Sequence, residues 1–171
     1  KDLQYDELER SLIRSKADAV IFDEKLEESI RGIRNQEKTS LKHFISMTEV
    51  KGYDSVYDLM EEGNKALENA NNEYVNAEID NDALAILLFT SGTTAQSKAV
   101  MLSQRNVATN IYDLQSVENI NEKDVSIALL PFHHIFGSTC MAYTLACGVK
   151  IVFPDGLRYV KQNLVEYKVT M

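Results

Sequence analysis

Apolar residues recur along this chain with two alternating spacings, one typical of helices and one typical of strands. Leu8 and Leu12 are four positions apart, and Leu26, Ile30 and Ile33 repeat along one side of a second predicted helix. Five short apolar segments with strand character follow or separate such helices: 19–22, 42–47, 84–89, 125–130 and 149–153. The chain therefore alternates predicted strands with predicted helices.

This alternation predicts an α/β fold, a mostly parallel sheet with flanking helices, because parallel strands need long crossover connections. The segments 84–89 and 125–130 are almost continuously apolar, which is typical of strands that are buried on both faces. Asp23 precedes one predicted helix as a candidate cap, and Ser55 and Asp58 have the spacing of a capping box for the next.

A polar, asparagine-rich segment, 68–82, interrupts the alternation. Such a composition is typical of a connection, so we expect two lobes, 1–75 and 76–171. In this prediction the first lobe contains β-α units without a diagnostic motif. The second contains all the candidate chemistry.

Composition and charge narrow the functional classes. With 171 residues, 44% hydrophobic residues and a formal net charge of −8, the chain has the character of a soluble globular protein, and nucleic acid is not expected as a partner. No apolar run reaches the roughly 18 residues of a membrane span. Cys140 and Cys147 lie seven positions apart, a spacing that favours reduced thiols on one helix over a zinc site. We therefore expect a cytoplasmic protein.

The strand 84–89 ends in a segment rich in hydroxyl groups that is followed by one cation. Ligands of doubly wound sheets bind beyond the carboxyl ends of the strands. Hydroxyls, a glycine that lets the backbone approach, and a lysine are suited to phosphate oxygens. The candidate phosphate-binding residues are Thr90, Ser91, Gly92, Thr93, Thr94 and Lys98.

Two other interpretations could account for this hydroxyl loop (90–98). The Walker pattern GxxxxGK[ST] requires a second glycine and a hydroxyl after the lysine, whereas the chain has Ser97 and Ala99 there, so an ordinary P-loop is disfavoured. A chance Ser/Thr-rich turn that caps the next helix is the other alternative.

The stretch FTSGTTAQSKAVMLSQRN resembles the phosphate-binding signature of the AMP-forming adenylating enzymes, Thr-Ser-Gly-Thr-Thr-Gly-x-Pro-Lys-Gly-Val. These enzymes include acyl-CoA synthetases, luciferases and peptide-synthetase adenylation domains. Seven positions match: Thr90, Ser91, Gly92, Thr93, Thr94, Lys98 and Val100. Ala95, Ser97 and Ala99 replace Gly, Pro and Gly, which alters the backbone freedom of the loop.

A second motif in LLPFHHIFGS resembles the same family. Pro131, His134 and Gly137 occupy its Pro-x-x-His-x-x-Gly positions, and the surrounding sequence is most similar to fatty-acyl-CoA ligases. The resemblance implies that His134 lies near the acyl pocket and the carboxylate. There a neutral imidazole could donate a hydrogen bond to the carboxylate or gate a tunnel. His133 is interpreted as structural.

The resemblance implies attack of a carboxylic acid on the α-phosphate of ATP, followed by transfer of the acyl group to CoA. Residues 90–94 and Lys98 would hold the β- and γ-phosphates, and Mg²⁺ would bridge phosphate oxygens. The family's adenine motif with its glutamate has no counterpart, since the nearest text, FGSTC, has Cys140 at that position. We therefore expect an internal piece of the large N-terminal domain, inactive alone and able to self-associate through surfaces that the rest covers.

Two other hypotheses stay open on the sequence. One is a non-catalytic nucleotide- or acyl-binding module derived from the same family, to which Ala95, Ser97 and Ala99 give weight. The other is an unrelated Rossmann-like domain whose hydroxyl loop only caps a helix.

Overall fold

A computed structural model describes residues 4–90 and 98–171 of the chain. The chain divides into two compact units, Lys1–Glu78 and Ile79–Met171. Helices and strands alternate in both units, which confirms the predicted α/β class. Within the described residues, no helix is long and apolar enough to cross a membrane.

The first unit is built on a small parallel sheet with strand order β1-β2-β3. Its elements, in chain order, are α1 (Tyr5–Ser15), β1 (Ala19–Phe22), a 3₁₀ turn (Glu24–Leu26), α2 (Glu27–Gln36), β2 (His43–Ser46), β3 (Asp54–Ser55) and α3 (Val56–Glu68). The predicted helices and the first two strands are therefore present. The two-residue strand β3 is too short to leave a pattern in the sequence.

The first unit has a small apolar core, next to which Ser46 and Ser55 are also buried. Phe22, Ile30 and Ile33 are each at most 2% exposed, and the ring of Tyr53 meets that of Phe22 edge-on at 5.0 Å. The two isoleucines are those of the predicted helical repeat, so the amphipathic pattern of α2 identified the buried face correctly.

Of the two predicted caps of the first unit, the box of α3 is present, whereas Asp23 caps the 3₁₀ turn before α2 and the N-cap of α2 itself is Leu26, without a side-chain hydrogen bond. The Asp23 carboxylate accepts a hydrogen bond from the amide of Lys25 at 3.0 Å. Ser55 and Asp58 form the reciprocal capping box at the start of α3, in which the Ser55 amide donates to the Asp58 carboxylate and the Asp58 amide to the Ser55 hydroxyl.

The second unit contains one antiparallel and one parallel strand pair. Its elements are β4 (Leu84–Thr90), β5 (Lys98–Ser103), α4 (Gln104–Val117), β6 (Val125–Ile127), α5 (Ile135–Ala146), β7 (Lys150–Val152), a 3₁₀ turn (Leu157–Tyr159) and α6 (Val160–Glu166). Strand β6 is shorter than the expected 125–130 and pairs with β7.

Strand β5 corrects the sequence prediction of a loop that leads directly into a helix. Residues 98–103 pair antiparallel with β4, and the helix α4 begins only after Ser103. The expectation that 84–89 is buried on both faces is also wrong for the described chain, because the residues of β4 are half-buried or exposed. Periodicity did not reveal the hairpin, since its pairing depends on backbone groups that every sequence offers.

Candidate functional site

The two described ends of the hydroxyl loop lie beside each other. Thr90 is the last residue of β4 and Lys98 the first of β5, and they are direct partners across the hairpin. The Thr90 hydroxyl donates to the Lys98 carbonyl oxygen at 3.5 Å. Because directly opposite residues of an antiparallel pair project to the same face, the Thr90 hydroxyl and the Lys98 ammonium lie on one side of the hairpin.

The other predicted phosphate ligands, Ser91, Gly92, Thr93 and Thr94, lie outside the described residues. Thr90 and Lys98, which flank this segment, occupy adjacent strand positions. Both of these residues are exposed, so an anion can reach the lysine from solvent.

The N-terminus of α4 is capped by Ser103, not by the hydroxyl loop. The Ser103 hydroxyl accepts from the Asn106 amide at 3.3 Å, and the Asn106 side chain accepts from the Ser103 amide at 3.0 Å. This reciprocal box satisfies amides that a helix start leaves without partners. The alternative in which the loop residues serve only as a helix cap is therefore wrong.

An ion pair that the sequence did not indicate ties the start of the hairpin to α4. The Arg105 guanidinium donates to both carboxylate oxygens of Asp82, at 2.7 and 3.0 Å. These hydrogen bonds lower the pKa of the Asp82 carboxyl, with the charge of Arg105 as a second cause. Both side chains are largely exposed, so we assign this pair a positioning role and little stability. Its members are 23 positions apart, and no local pattern links them.

His134 is the N-cap residue of α5. Its backbone is extended, with φ −101° and ψ 136°, and its Nδ1 atom accepts a hydrogen bond from the Phe136 amide at 3.2 Å. Within the described part of the chain, its Nε2 atom has no hydrogen-bond partner, and the residue is exposed. The sequence predicted a chemical role for His134 but not its function as a cap.

The turn before α5 is held by backbone and ring contacts. The His134 amide donates to the Pro131 carbonyl oxygen at 3.1 Å, and the ring of Phe132 meets that of Phe153 edge-on at 6.3 Å. Gly137 is buried against this turn, where a Cβ atom would lie 2.3 Å from the Pro131 carbonyl oxygen. The three motif positions Pro131, His134 and Gly137 therefore form one packed unit.

A groove of about 450 Å³ lies between α4 and α5. It is lined by Leu102, Asn106, Val107, Asn110, Leu114, Ile135, Phe136, Thr139 and Cys140. Two of these residues, Ile135 and Phe136, directly follow His134 in the sequence, whereas His134 itself does not line the α4–α5 groove. Burial raises the pKa of the Cys140 thiol, which keeps it neutral and suits it to line an apolar cavity.

The structure brings some candidate residues together and leaves others apart. Thr90 and Lys98 are neighbours, whereas no hydrogen bond or ion pair within the described residues joins either of them to His134. The described ranges also contain no group of three or more His, Cys, Asp or Glu side chains that could hold a metal ion.

Comparison with known proteins decides the family. Residues 1–171 match the family described as AMP-binding enzyme. The chain belongs to the AMP-binding enzyme family. This confirms the resemblance drawn from the two motifs and excludes the unrelated Rossmann-like domain.

The relatives include ligases and a luciferase. Long-chain-fatty-acid–acyl-carrier-protein ligase AEE15, chloroplastic, of Arabidopsis thaliana is 30% identical over 134 residues, 77% of this chain and 18% of that protein. Long-chain-fatty-acid–CoA ligase 5 of Rattus norvegicus is 31% identical over 93 residues, 52% of this chain and 14% of that protein. Luciferin 4-monooxygenase of Photuris pensylvanica is 32% identical over 93 residues, 52% and 17% of the two chains. The chain spans less than a fifth of the length of each.

Solved structures share the fold over nearly the whole chain. The inhibitor-bound N-terminal domain of FACL13 from Mycobacterium tuberculosis has a TM-score of 0.76 at 21% identity, covering 98% of this chain and 40% of that one. ATP-bound MatB from Rhodopseudomonas palustris has a TM-score of 0.73 at 24% identity, covering 98% and 31%. At these identities the similarity establishes the fold alone.

Proposed function

We propose that this chain is part of an ATP-dependent, AMP-forming acyl-CoA synthetase. In this proposal the parent enzyme activates a carboxylic acid, specifically a fatty acid, as an acyl-adenylate and then transfers the acyl group to CoA. Both units belong to the large N-terminal domain of that enzyme. The work of the chain is to bind the phosphates of ATP and to orient the carboxylate.

The observation that carries this proposal is the pairing of Thr90 with Lys98 at the open end of the hairpin. It gives the hydroxyl loop two adjacent anchors, one of which supplies a positive charge. A chain with a formal net charge of −8 repels a polyphosphate at long range, so a local cation is needed to hold one. The MatB structure with bound ATP supports the choice of nucleotide.

The proposed reaction joins two anions, and its catalysis is mainly alignment and charge neutralisation. One oxygen of the carboxylate forms a bond to the α-phosphorus. The bond from that phosphorus to the bridging α–β oxygen breaks, and its electron pair leaves with pyrophosphate. Lys98 and the hydroxyls of 90–94 hold the departing phosphates. In the second step the CoA thiolate attacks the acyl carbon and AMP leaves.

The α4–α5 groove supports an aliphatic acid as the substrate. Leu102, Val107, Leu114 and Ile135 provide apolar walls along it. Burial of an alkyl chain in such walls is favourable by about 0.8 kcal/mol per methylene group. The relatives named long-chain-fatty-acid ligases have the same substrate class in their names.

The acyl acceptor and the location are part of the proposal. CoA is the acceptor in the name of one relative and acyl-carrier protein is the acceptor in the name of another, so both acceptors are to be assayed.

We propose the cytoplasm as the compartment. The isolated chain is proposed to be inactive and to self-associate through exposed apolar side chains such as Met101 and Leu157, which are 67% and 84% exposed.

Carboxylate-dependent exchange of labelled pyrophosphate into ATP tests the function directly. Short, long and aromatic acids are compared in the complete parent protein and in the 171-residue chain. We expect exchange in the parent, none in the chain, and a loss of roughly 100-fold in the parent on Lys98→Ala, the effect of removing one preorganised electrostatic contact. Product assays with CoA and with phosphopantetheinylated acyl-carrier protein identify the acceptor.

Lys150→Ala is the matched control, because Lys150 is also exposed and also begins a strand, β7. An equal loss in both variants would contradict a specific role for Lys98. If the folded parent protein shows no pyrophosphate exchange with any of the tested acids, the result would favour the non-catalytic binding module. The substitutions Ala95, Ser97 and Ala99 in the loop are consistent with that alternative.

A further inference from the structure

The hydrogen bond at the start of α5 indicates which ring nitrogen of a neutral His134 carries the proton. An amide N–H can donate only to a ring nitrogen that carries no proton, and Nδ1 receives the Phe136 amide at 3.2 Å. In the neutral imidazole the proton is therefore on Nε2, the atom without a partner in the described part of the chain. His134 thus presents a hydrogen-bond donor to solvent or to a ligand.

We propose that Gly137 is a positioning residue that keeps His134 in this Nε2–H tautomer for recognition of the substrate carboxylate. The inference rests on the proposed function. Of the two roles considered for His134, hydrogen bonding to the carboxylate and gating of a tunnel, it selects the first. The imidazole acts as a neutral donor to an anionic acceptor. It does not act as a base through Nε2, because that atom has no free lone pair in this tautomer.

Gly137 acts through the Pro131 carbonyl group. A Cβ atom at position 137 would lie 2.3 Å from the oxygen and 2.9 Å from the carbon of that carbonyl. The same oxygen accepts the amide of His134 at 3.1 Å. These are backbone atoms, and the ring of Pro131 fixes its φ angle, so the turn has little freedom to relax. A side chain at 137 therefore displaces the carbonyl group that holds the His134 backbone.

The contact of Nδ1 with the Phe136 amide depends on the backbone orientation of His134, which the hydrogen bond to the Pro131 carbonyl oxygen holds, so the loss of that hydrogen bond changes the distance between Nδ1 and the amide. The ring then loses the contact that distinguishes its two nitrogens. In the wild-type chain the Nε2–H group can bind one carboxylate oxygen and leave the other free to attack the α-phosphorus. Gly137 contacts neither substrate in this account.

Nitrogen-15 NMR of the histidine rings tests the tautomer without any substrate. The spectrum of the 171-residue chain contains three histidines, and His134→Asn identifies the signal of interest. We expect wild-type His134 to show a proton on Nε2 and a pyridine-type Nδ1. Gly137→Ala should give averaged tautomer signals. Gly63→Ala is the matched control, since a Cβ on this helical glycine meets nothing within 4 Å.

A proton on Nδ1 in the wild-type chain would overturn the inference, as would an unchanged His134 spectrum in folded Gly137→Ala. If Gly137→Ala does not fold, the double variant Pro131→Gly, Gly137→Ala is examined, because a glycine at 131 lets the carbonyl group turn away. Recovery of the fold and of the tautomer supports the contact. A double variant that stays unfolded contradicts it.

Kinetic measurements on the complete protein distinguish a misplaced His134 from a general loss of the folded structure. We expect Gly137→Ala to lower kcat for pyrophosphate exchange roughly 10- to 100-fold, the size of a small misplacement of a reacting group, with KM for ATP unchanged. His134→Asn replaces the capping Nδ1 acceptor with an amide oxygen but loses the distal Nε2–H donor, and should lower kcat while His133→Asn does not. If NMR shows the Nε2–H tautomer but the complete protein has no exchange activity, the proposed function is refuted. The positioning of His134 by Gly137 would still hold in that case.

Discussion

The two units of this chain stabilise themselves with different side chains. In the first unit Phe22, Ile30 and Ile33 form an apolar core, beside the buried polar side chains of Ser46 and Ser55. In the second unit several of the buried positions are polar, among them Thr139, Thr144 and Asn163. Burial of apolar area is tolerant of small movements, whereas hydrogen-bonded polar groups are directional. Directional contacts are present in both units, and the candidate site lies in the one whose buried polar side chains include Thr139, Thr144 and Asn163.

The polar interior of the second unit is satisfied internally. The Thr144 hydroxyl lies 3.0 Å from the Cys140 carbonyl oxygen and 2.9 Å from that of Met141, within its own helix. The Asn163 side chain both donates to the Asp155 carboxylate, at 2.8 Å, and accepts from the Asp155 amide, at 3.1 Å. Such pairing fixes the loop after β7 and the start of α6, which apolar packing alone would hold less specifically.

The largest effect on stability is expected from the apolar core of the first unit. Ile30→Ala removes a side chain that is 1% exposed and should lower the free energy of unfolding by about 2–5 kcal/mol. Ile21→Ala is the matched control, since Ile21 is 60% exposed, and should change it by less than about 1 kcal/mol. Urea denaturation followed by circular dichroism measures both. Similar losses would refute the assignment of the core to α2.

A smaller effect is expected from the polar interior of the second unit. Asn163→Leu keeps the number and branching of side-chain heavy atoms but leaves the Asp155 amide and carboxylate without their partner, at a cost of about 1–3 kcal/mol. The exposed neighbour Gln162 provides the control Gln162→Leu. Thermal unfolding of the two variants is compared. If Asn163→Leu is as stable as the wild type, this unit does not depend on directional contacts.

The smallest effect is a difference in pH dependence between two capping boxes. Hydrogen bonds from the Ser55 side chain, and then from its backbone, lower the pKa of Asp58, whereas the equivalent residue in the second unit, Asn106, does not titrate. The stabilisation by Asp58 is present above the ordinary aspartate pKa, about 3.9, and is lost as the pH falls through the lower folded-state value. Asp58→Asn should therefore flatten the acid side of the stability curve.

Urea midpoints at about pH 6 and about pH 3 measure this difference. Asn106→Asp is the converse variant and should add acid sensitivity to the second unit. If Asp58→Asn and the wild type lose the same stability at low pH, other carboxylates account for that loss. Asp18, whose pKa is lowered by Lys42, is one of them.

Prediction from the sequence succeeded where a local pattern coincided with a local structure. The repeat of Leu26, Ile30 and Ile33 identified the buried side of α2, and the spacing of Ser55 and Asp58 identified the cap of α3. Strand β5 and the ion pair of Arg105 with Asp82 were missed. Both depend on groups that meet only when distant segments fold together.

By itself the sequence determined the α/β class, the family and the identity of the candidate residues, because these depend on periodicity and on motif spacing. Only the tertiary structure decided which backbone and side-chain groups these residues contact. It paired Thr90 with Lys98 across a hairpin and made His134 a helix cap whose Nε2 has no hydrogen-bond partner within residues 4–90 and 98–171. Pairing register and protonation state depend on which backbone groups come together in space, and the order of side chains along the chain does not contain that information.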